Sequence, residues 1–336
     1  LMEPFLDALL LDIRATAAGL RALYGGGEEV PCGASGSTLR FFIPLCLMSG
    51  QKITLTGTKK LLSRPLDIYE AICKEQGLHY LHGSDSVEVC GRLSSGDYKI
   101  PGNISSQFIS GLLFALPLCG GDSTISIIPP IESRSYLELT MEALAAFGVK
   151  VCWTDDKTIL VRGNQHYKPA NVTVEGDYSQ AAFLAVLGAA RGGVAVTGLR
   201  EDSLQGDRAI LDILARCGAR IIRTDDAALF EKSDLRGTEI DLADCPDLGP
   251  VLMVLGALCK GETVIRNAAR YLTGEAQAGS IIATSNDNRR TYNQQSTISF
   301  AGSNFYIRDE QDAYALAVEI ASLTRRQQRG RGLRMA

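Results

Sequence analysis

The chain has 336 residues, of which 46% are hydrophobic and 21% charged, and a formal net charge of -4. That is the balance of a globular protein with room for two cores. The small negative charge excludes a general polyanion binder, although a few local arginines can still hold a small anion. No apolar run reaches membrane-spanning length and no signal peptide is recognised, so neither a nucleic acid nor a membrane is expected as partner. The first residue is Leu1, and the natural start is expected to lie upstream. The nine cysteines, Cys32, Cys46, Cys73, Cys90, Cys119, Cys152, Cys217, Cys245 and Cys259, form no CxxC pair. They read as small buried thiols in a reducing cytoplasm.

Two patterns alternate along the chain. The first is an amphipathic helix ending in glycine and followed by strands, predicted at residues 13–25, 66–77, 136–148 and 207–218. The second is a nearly all-apolar helix, a glycine stop and a β-rich run, predicted at residues 37–57, 105–128, 178–199 and 248–267. Helices of the second kind are expected to be buried on most sides and to close on a left-handed glycine. In residues 136–148, Leu137, Met141, Leu144 and Phe147 share one helical face. Strands are predicted after it at residues 149–153 and 158–161, and Asp155-Asp156 and Asp225-Asp226 punctuate turns. The alternation runs to Asn267 and predicts an array of one α/β unit, with buried helices inside and sheets outside.

After Arg270 the composition changes. All eleven prolines and all nine cysteines lie before that point, and residues 271–336 contain no lysine. One helix is predicted at residues 309–323, and a basic, glycine-containing end at residues 325–334 reads as solvated. The resulting domains are residues 1–173, a partial second domain at 174–270 and a divergent tail at 271–336.

Several polar motifs stand at predicted helix mouths. Residues 32–40 read CGASGSTLR, where Ser37 and Thr38 can cap a helix whose free N–H groups suit an anion. Residues 58–65 read TKKLLSRP. Pro65 keeps Arg64 extended and is placed to begin the next helix, and the arginine can fork onto a carboxylate or phosphate. Residues 102–108 read GNISSQF, and Ser105, Ser106 and Gln107 offer more donors than a cap needs. Residues 132–136 read ESRSY, with Ser133 and Arg134 as further oxyanion donors. Residues 245–250 read CPDLGP, where Asp247 is either a helix cap or a general base. Plain capping is the alternative reading of each motif. His79, His82 and His166 complete no metal-ligand set, and no Walker A run supports nucleotide use.

Taken in order, CGASGSTLR, TKKLLSRPL, GNISSQF, ESRSYLELT with AFGVKV, VEGDYSQAAF, SLQGD and DCPDLGP with IRNAAR resemble 3-phosphoshikimate 1-carboxyvinyltransferase, the EPSP synthase family, over residues 12–270. The resemblance implies a two-domain inside-out α/β barrel of βαβαββ units. It implies transfer of the enolpyruvyl group of phosphoenolpyruvate to the 5-hydroxyl of shikimate 3-phosphate, with release of phosphate. Neither metal nor organic cofactor is implied, and a cytoplasmic monomer is expected. Ser105, Ser106, Gln107 and Ser133 would bind shikimate 3-phosphate. Gly36, Arg64 and Gln107 would bind phosphoenolpyruvate, and Asp247 would take the 5-hydroxyl proton. Arg40 matches a family arginine expected to be structural. The family's PGSKS, KESDR and NDHR segments and its late lysine find no counterpart, so impaired activity is expected. The alternatives are a shikimate 3-phosphate-binding remnant without catalysis and an enzyme like UDP-N-acetylglucosamine enolpyruvyl transferase.

Overall fold

The structure is a computed structural model that describes residues 28–224 and 227–268 throughout, and residues 281–285, 296–300 and 303–307 as strands. The helices predicted at residues 13–25 and 309–323, the Asp225-Asp226 turn and the basic end lie outside the described residues. The described chain divides into two compact units between Val172 and Thr173.

The first unit contains one motif twice. The first copy runs β1 (Glu29–Pro31), α1 (Gly36–Cys46), β2 (Ile53–Thr56), a short α2 (Lys59–Leu62), α3 (Asp67–Glu75), β3 (His79–His82) and β4 (Ser86–Cys90). Strands β1 and β2 pair in parallel, which requires a crossover, and α1 supplies it. Strand β4 then lies antiparallel between β2 and β3, giving the order β1-β2-β4-β3. The second copy, β5 (Asp97–Pro101), α4 (Ser106–Ala115), β6 (Ser123–Ile128), α5 (Arg134–Ala146), β7 (Val151–Asp155) and β8 (Thr158–Val161), repeats this as β5-β6-β8-β7. Alternation along the strands sets the faces: Ile53, Leu55, Val87, Val89, Ile159 and Val161 are fully buried while their neighbours are not. These residues join Tyr69, Phe108 and the apolar faces of α1 and α4 in one core.

The second unit begins with the same arrangement. Helix α6 (Tyr178–Arg191), β9 (Val194–Thr197), α7 (Ala209–Arg216), β10 (Arg220–Arg223) and β11 (Ala227–Glu231) form a sheet ordered β10-β11-β9. A second parallel crossover follows in β12 (Glu239–Asp241), α8 (Gly249–Leu258) and β13 (Gly261–Arg266). There the repeat breaks. Strands β14 (Ile281–Ser285), β15 (Ser296–Phe300) and β16 (Ser303–Ile307) continue the sheet as an antiparallel meander, each beside its chain neighbour. The break follows the change of composition at Arg270. The core of this unit extends from Tyr178 to Ala268.

The structure corrects several local expectations. Glycine in the left-handed region follows the amphipathic helices, at Gly77, Gly148 and Gly218 with φ of 66°, 79° and 87°. Among the four apolar helices only α6 ends this way, at Gly192 with φ of 86°. Helix α4 runs instead into a 3-10 turn carrying Pro117. Helix α8 is buried along nearly its whole length, but α6 leaves Leu184 and Leu187 exposed and so buries one broad face. Pro65 precedes the N-cap Leu66 and does not start α3, which begins two residues later at Asp67. Seven cysteines are buried as expected, while Cys90 is half-buried and Cys152 exposed on β7. Burial pushes the Cys32 and Cys46 thiols up to about 12, which keeps them protonated and poor nucleophiles.

Helices α1 and α4 approach closely, and Gly111 marks the contact. A Cβ at Gly111 would stand 2.4 Å from Tyr69 Oη and 2.5 Å from the Arg40 carbonyl oxygen. Tyr69 Oη donates to that oxygen at 2.6 Å and lies 3.2 Å from the Phe108 carbonyl, tying the two helices together. Gly111→Ala is therefore expected to destabilise the first unit by about 1–3 kcal/mol, because overpacking outweighs the better helix propensity of alanine. The single tryptophan, Trp153, lies in this unit, so urea unfolding followed by its fluorescence reads the effect. Unchanged stability would mean the helices are not in close contact here.

Candidate active site

Helix α1 opens with Ser35 as its N-cap: Ser35 Oγ accepts from the Thr38 N–H at 3.2 Å and from Thr38 Oγ1 at 2.8 Å. The cap is thus Ser35, in place of the predicted Ser37 or Thr38. The extended Ser35 backbone directs the chain into the helix at Gly36. A Cβ on Gly36 would lie 2.9 Å from Arg64 Nη1, 3.2 Å from Arg40 Nη1 and 3.7 Å from Gln107 Oε1. Three side chains from three parts of the chain therefore crowd one bare glycine. Arg40 Nη1 donates to Gln107 Oε1 at 2.7 Å, and the guanidinium lies over the Phe108 ring at 4.9 Å. Arg40 Nε is buried and has no hydrogen-bond partner among the described residues. Burial lowers the pKa of Arg40, and the adjacent Arg64 charge lowers it further. Two guanidinium groups share this pocket, and an anion between them would relieve their repulsion. Arg40, expected to be mainly structural, ties α1 to the mouth of α4 through Gln107 and the Phe108 ring, and its charged end also lies beside Gly36.

The mouth of α4 adjoins this pocket through Gln107. Ser105 is the N-cap and its Oγ accepts from the Gln107 N–H at 3.3 Å, while Ser106 is the first helical residue. The loop before α5 docks beside them, the Glu132 N–H donating to the Gly102 carbonyl at 3.1 Å. Ser133 sits at the α5 N-cap in the left-handed conformation, φ 58°, and its side chain makes no capping bond. Capping therefore does not explain Ser133. Arg134 is not an anion donor as expected: it stacks on Trp153 at 4.1 Å and donates to the Asp156 carbonyl at 3.1 Å. The first unit thus brings Gly36, Arg40, Arg64 and Gln107 together, with Ser105 and Ser106 on the same helix mouth and Ser133 on the neighbouring loop.

Asp247 belongs to the second unit. It lies exposed in the 3-10 turn Pro246–Leu248 before α8, and no side chain caps that helix. The capping alternative for Asp247 is therefore not realised. A second 3-10 turn, Gly206–Arg208, packs against this one, and both touch α6. Its Asp207 is only 3% exposed. In the sequence Asp207 stands only within the SLQGD motif of the family resemblance, with no role attached to it. A lone aspartate after glycine carries no sign of burial, so the signal was absent from the local sequence.

Among the described residues no group of three or more His, Cys, Asp or Glu side chains could hold a metal. His79 lies opposite Cys90 on the neighbouring strand, and its Nε2 is 3.7 Å from Glu88 Oε2. His82 Nε2 is 2.7 Å from the Leu62 carbonyl oxygen. No helix of the described residues is long and apolar enough to cross a membrane.

A family model described as EPSP synthase (3-phosphoshikimate 1-carboxyvinyltransferase) matches residues 13–284. A protein named 3-phosphoshikimate 1-carboxyvinyltransferase from Clostridium kluyveri is 45% identical over 256 residues, 76% of this chain and 60% of the relative. Another from Brachyspira hyodysenteriae is 44% identical over 238 residues, 70% of this chain and 57% of the relative. The chain thus spans about 60% of the length of the curated relatives it matches. Among solved structures, an EPSP synthase from Acinetobacter baumannii shares the fold with TM-score 0.63 at 19% identity, covering 88% of this chain and 72% of that one. The enolpyruvyl transferase NikO from Streptomyces tendae gives TM-score 0.55 at 18% identity, covering 68% and 56%.

Proposed function

The chain belongs to the EPSP synthase family, and from that premise we propose that it binds shikimate 3-phosphate and phosphoenolpyruvate for enolpyruvyl transfer to the 5-hydroxyl of the former, with release of phosphate. The observation that carries this reading is the pocket at Gly36, where Arg40, Arg64 and Gln107 meet at the mouths of two helices. Such a pocket suits the carboxylate and phosphate of phosphoenolpyruvate, since arginine forks match both groups and helix N-termini favour negative charge. Ser105, Ser106, Gln107 and Ser133 bind shikimate 3-phosphate in this proposal, and Asp247 accepts the hydroxyl proton. Neither a metal nor an organic cofactor enters the scheme. The repeated β-α-β-α-β-β motif of the first unit supports the family's inside-out barrel as its architecture, with the second unit incomplete, and in this proposal the protein acts as a cytoplasmic monomer on small molecules. The comparisons do not favour the nucleotide-sugar alternative.

Binding is the first test, because the chain spans about 60% of its relatives' length. Calorimetry with shikimate 3-phosphate should give saturable binding. Ser105→Ala and Ser106→Ala should each weaken it by about 10-fold or more, as expected for loss of a hydrogen bond to a charged group. No binding, or binding unchanged in both variants, would remove this assignment. A phosphate-release assay with both substrates then tests transfer itself.

A further inference from the structure

The second unit holds a cavity of about 420 Å³ between α7 and strands β12 and β13. It shares no residue with the Gly36 pocket or with the Pro246–Leu248 turn that carries Asp247. Its charged lining is Asp212 and Arg216 on α7, Glu239 and Asp241 on β12, and Arg266 on β13. Some of these charges satisfy one another. Glu239 pairs with Arg266 across the two parallel strands. Asp241 accepts from Asn267 Nδ2 at 2.6 Å and from the Ala243 N–H at 2.8 Å, but both bonds fall on Oδ1, and none among the described residues uses Oδ2. These bonds hold the Asp241 carboxyl below the usual carboxylate range, so it is charged near neutral pH. Asp212 and Arg216 stand one turn apart on α7, the spacing at which opposite charges ordinarily pair along a helix. Here they do not pair. Among the described residues Asp212 meets only Arg223 Nη2, at 3.8 Å, and Arg216 makes no hydrogen bond or ion pair. An unpaired guanidinium and two partly free carboxylates therefore border one cavity, whose remaining lining, Ala209 and Ile213, is apolar.

We propose that this cavity binds a free α-amino acid with a cationic side chain, the class of lysine: Arg216 takes the carboxylate, Asp212 and Asp241 take the two ammonium groups, and the aliphatic stem lies on Ala209 and Ile213. The charge count selects this class. Glu239 and Arg266 neutralise each other, so Asp212 and Asp241 stand against Arg216 alone and the cavity keeps a net negative charge. A ligand with two ammonium groups and one carboxylate cancels it. An inorganic anion would meet two carboxylates, and a simple cation would leave Arg216 unanswered. The guanidinium can fork onto a carboxylate with two parallel bonds, and each ammonium carries three donors for carboxylate oxygens. The volume is in the range of small-molecule sites and leaves room for bridging water. The Arg216 charge also suits the carboxyl end of α7, but that role occupies none of its N–H groups. Binding here is separate from enolpyruvyl transfer and does not depend on it.

The test is calorimetry of the full chain with L-lysine at low ionic strength, where binding should saturate. Cadaverine, which lacks the carboxylate, and 6-aminohexanoate, which lacks the α-ammonium, should each bind about 10-fold more weakly, the loss expected for one hydrogen bond between charged groups. L-Glutamate should not bind measurably at the same concentrations. Arg216→Ala and Asp212→Asn should each weaken lysine binding by about 10-fold. Both residues are exposed, so circular dichroism of the variants should match the wild type. No saturable lysine binding to the wild type, glutamate bound as tightly as lysine, or lysine affinity unchanged in both variants would each overturn the proposal. The ligand series on the wild type decides it even where a variant fails to fold.

Discussion

Arg64→Ala is expected to weaken phosphoenolpyruvate binding by about 10- to 100-fold, measured by calorimetry with shikimate 3-phosphate present at saturation. The magnitude is that of one hydrogen-bonded ion contact, roughly 1.5–3 kcal/mol. Arg64 Nη1 stands 2.9 Å from where a Cβ on Gly36 would lie, so its guanidinium borders the pocket directly. Arg40→Ala should cost less. It removes a donor but also removes the charge that opposes Arg64, and it releases Gln107 Oε1 from the 2.7 Å bond. Arg64→Lys should recover only part of the loss, because an ammonium keeps the charge without the planar fork. Gly36→Ala tests the same pocket from the backbone side: a methyl 2.9 Å from Arg64 Nη1 displaces that side chain and should weaken binding without changing net charge. Wild-type affinity in Arg64→Ala would place the anion elsewhere.

Much of this pocket was legible because its parts announce themselves locally. A glycine beside hydroxyl residues before an apolar run marks a helix mouth, and an arginine before proline marks an extended stretch of backbone. The repeat was legible for the same reason, since β2, β4 and β8 alternate buried and open residues as the sequence does. What local sequence cannot supply is the long-range partner. Arg40 reads as the fifth residue of an apolar helix; only the packing of α1 on α4 shows that its end meets Gln107, 67 positions away. Cap identity was missed by a residue or two, because Ser35, Ser37 and Thr38 are chemically interchangeable candidates and backbone dihedrals decide among them. Arg134 was misassigned for a similar reason: nothing near ESRSY announces that Trp153 will offer its ring. Asp207 needed the burial of two separate turns against α6 before its charge had meaning.

That burial also predicts how stability depends on pH. The Asp207 carboxyl rises from an ordinary value of 3.8 to about 6 in the folded chain, mainly through enclosure. Between these values the folded chain binds the proton and the unfolded chain does not. Stability in this window therefore falls as pH rises, opposite to a carboxylate held by a salt bridge. The full difference corresponds to roughly 3 kcal/mol, complete above about pH 6 and absent below about pH 4. Ser179 Oγ donates to Asp207 Oδ2; asparagine is neutral throughout and can still take that hydroxyl proton in a hydrogen bond. Asp207→Asn should thus gain stability relative to the wild type as pH rises through this window and hold that gain at higher pH. Urea unfolding of both proteins followed by circular dichroism at several pH values reads the difference directly, with hydrogen exchange at α6 and α8 confining it to the second unit. Parallel pH profiles for the two proteins would show that Asp207 ionises freely in the fold, and its enclosure would have no energetic consequence.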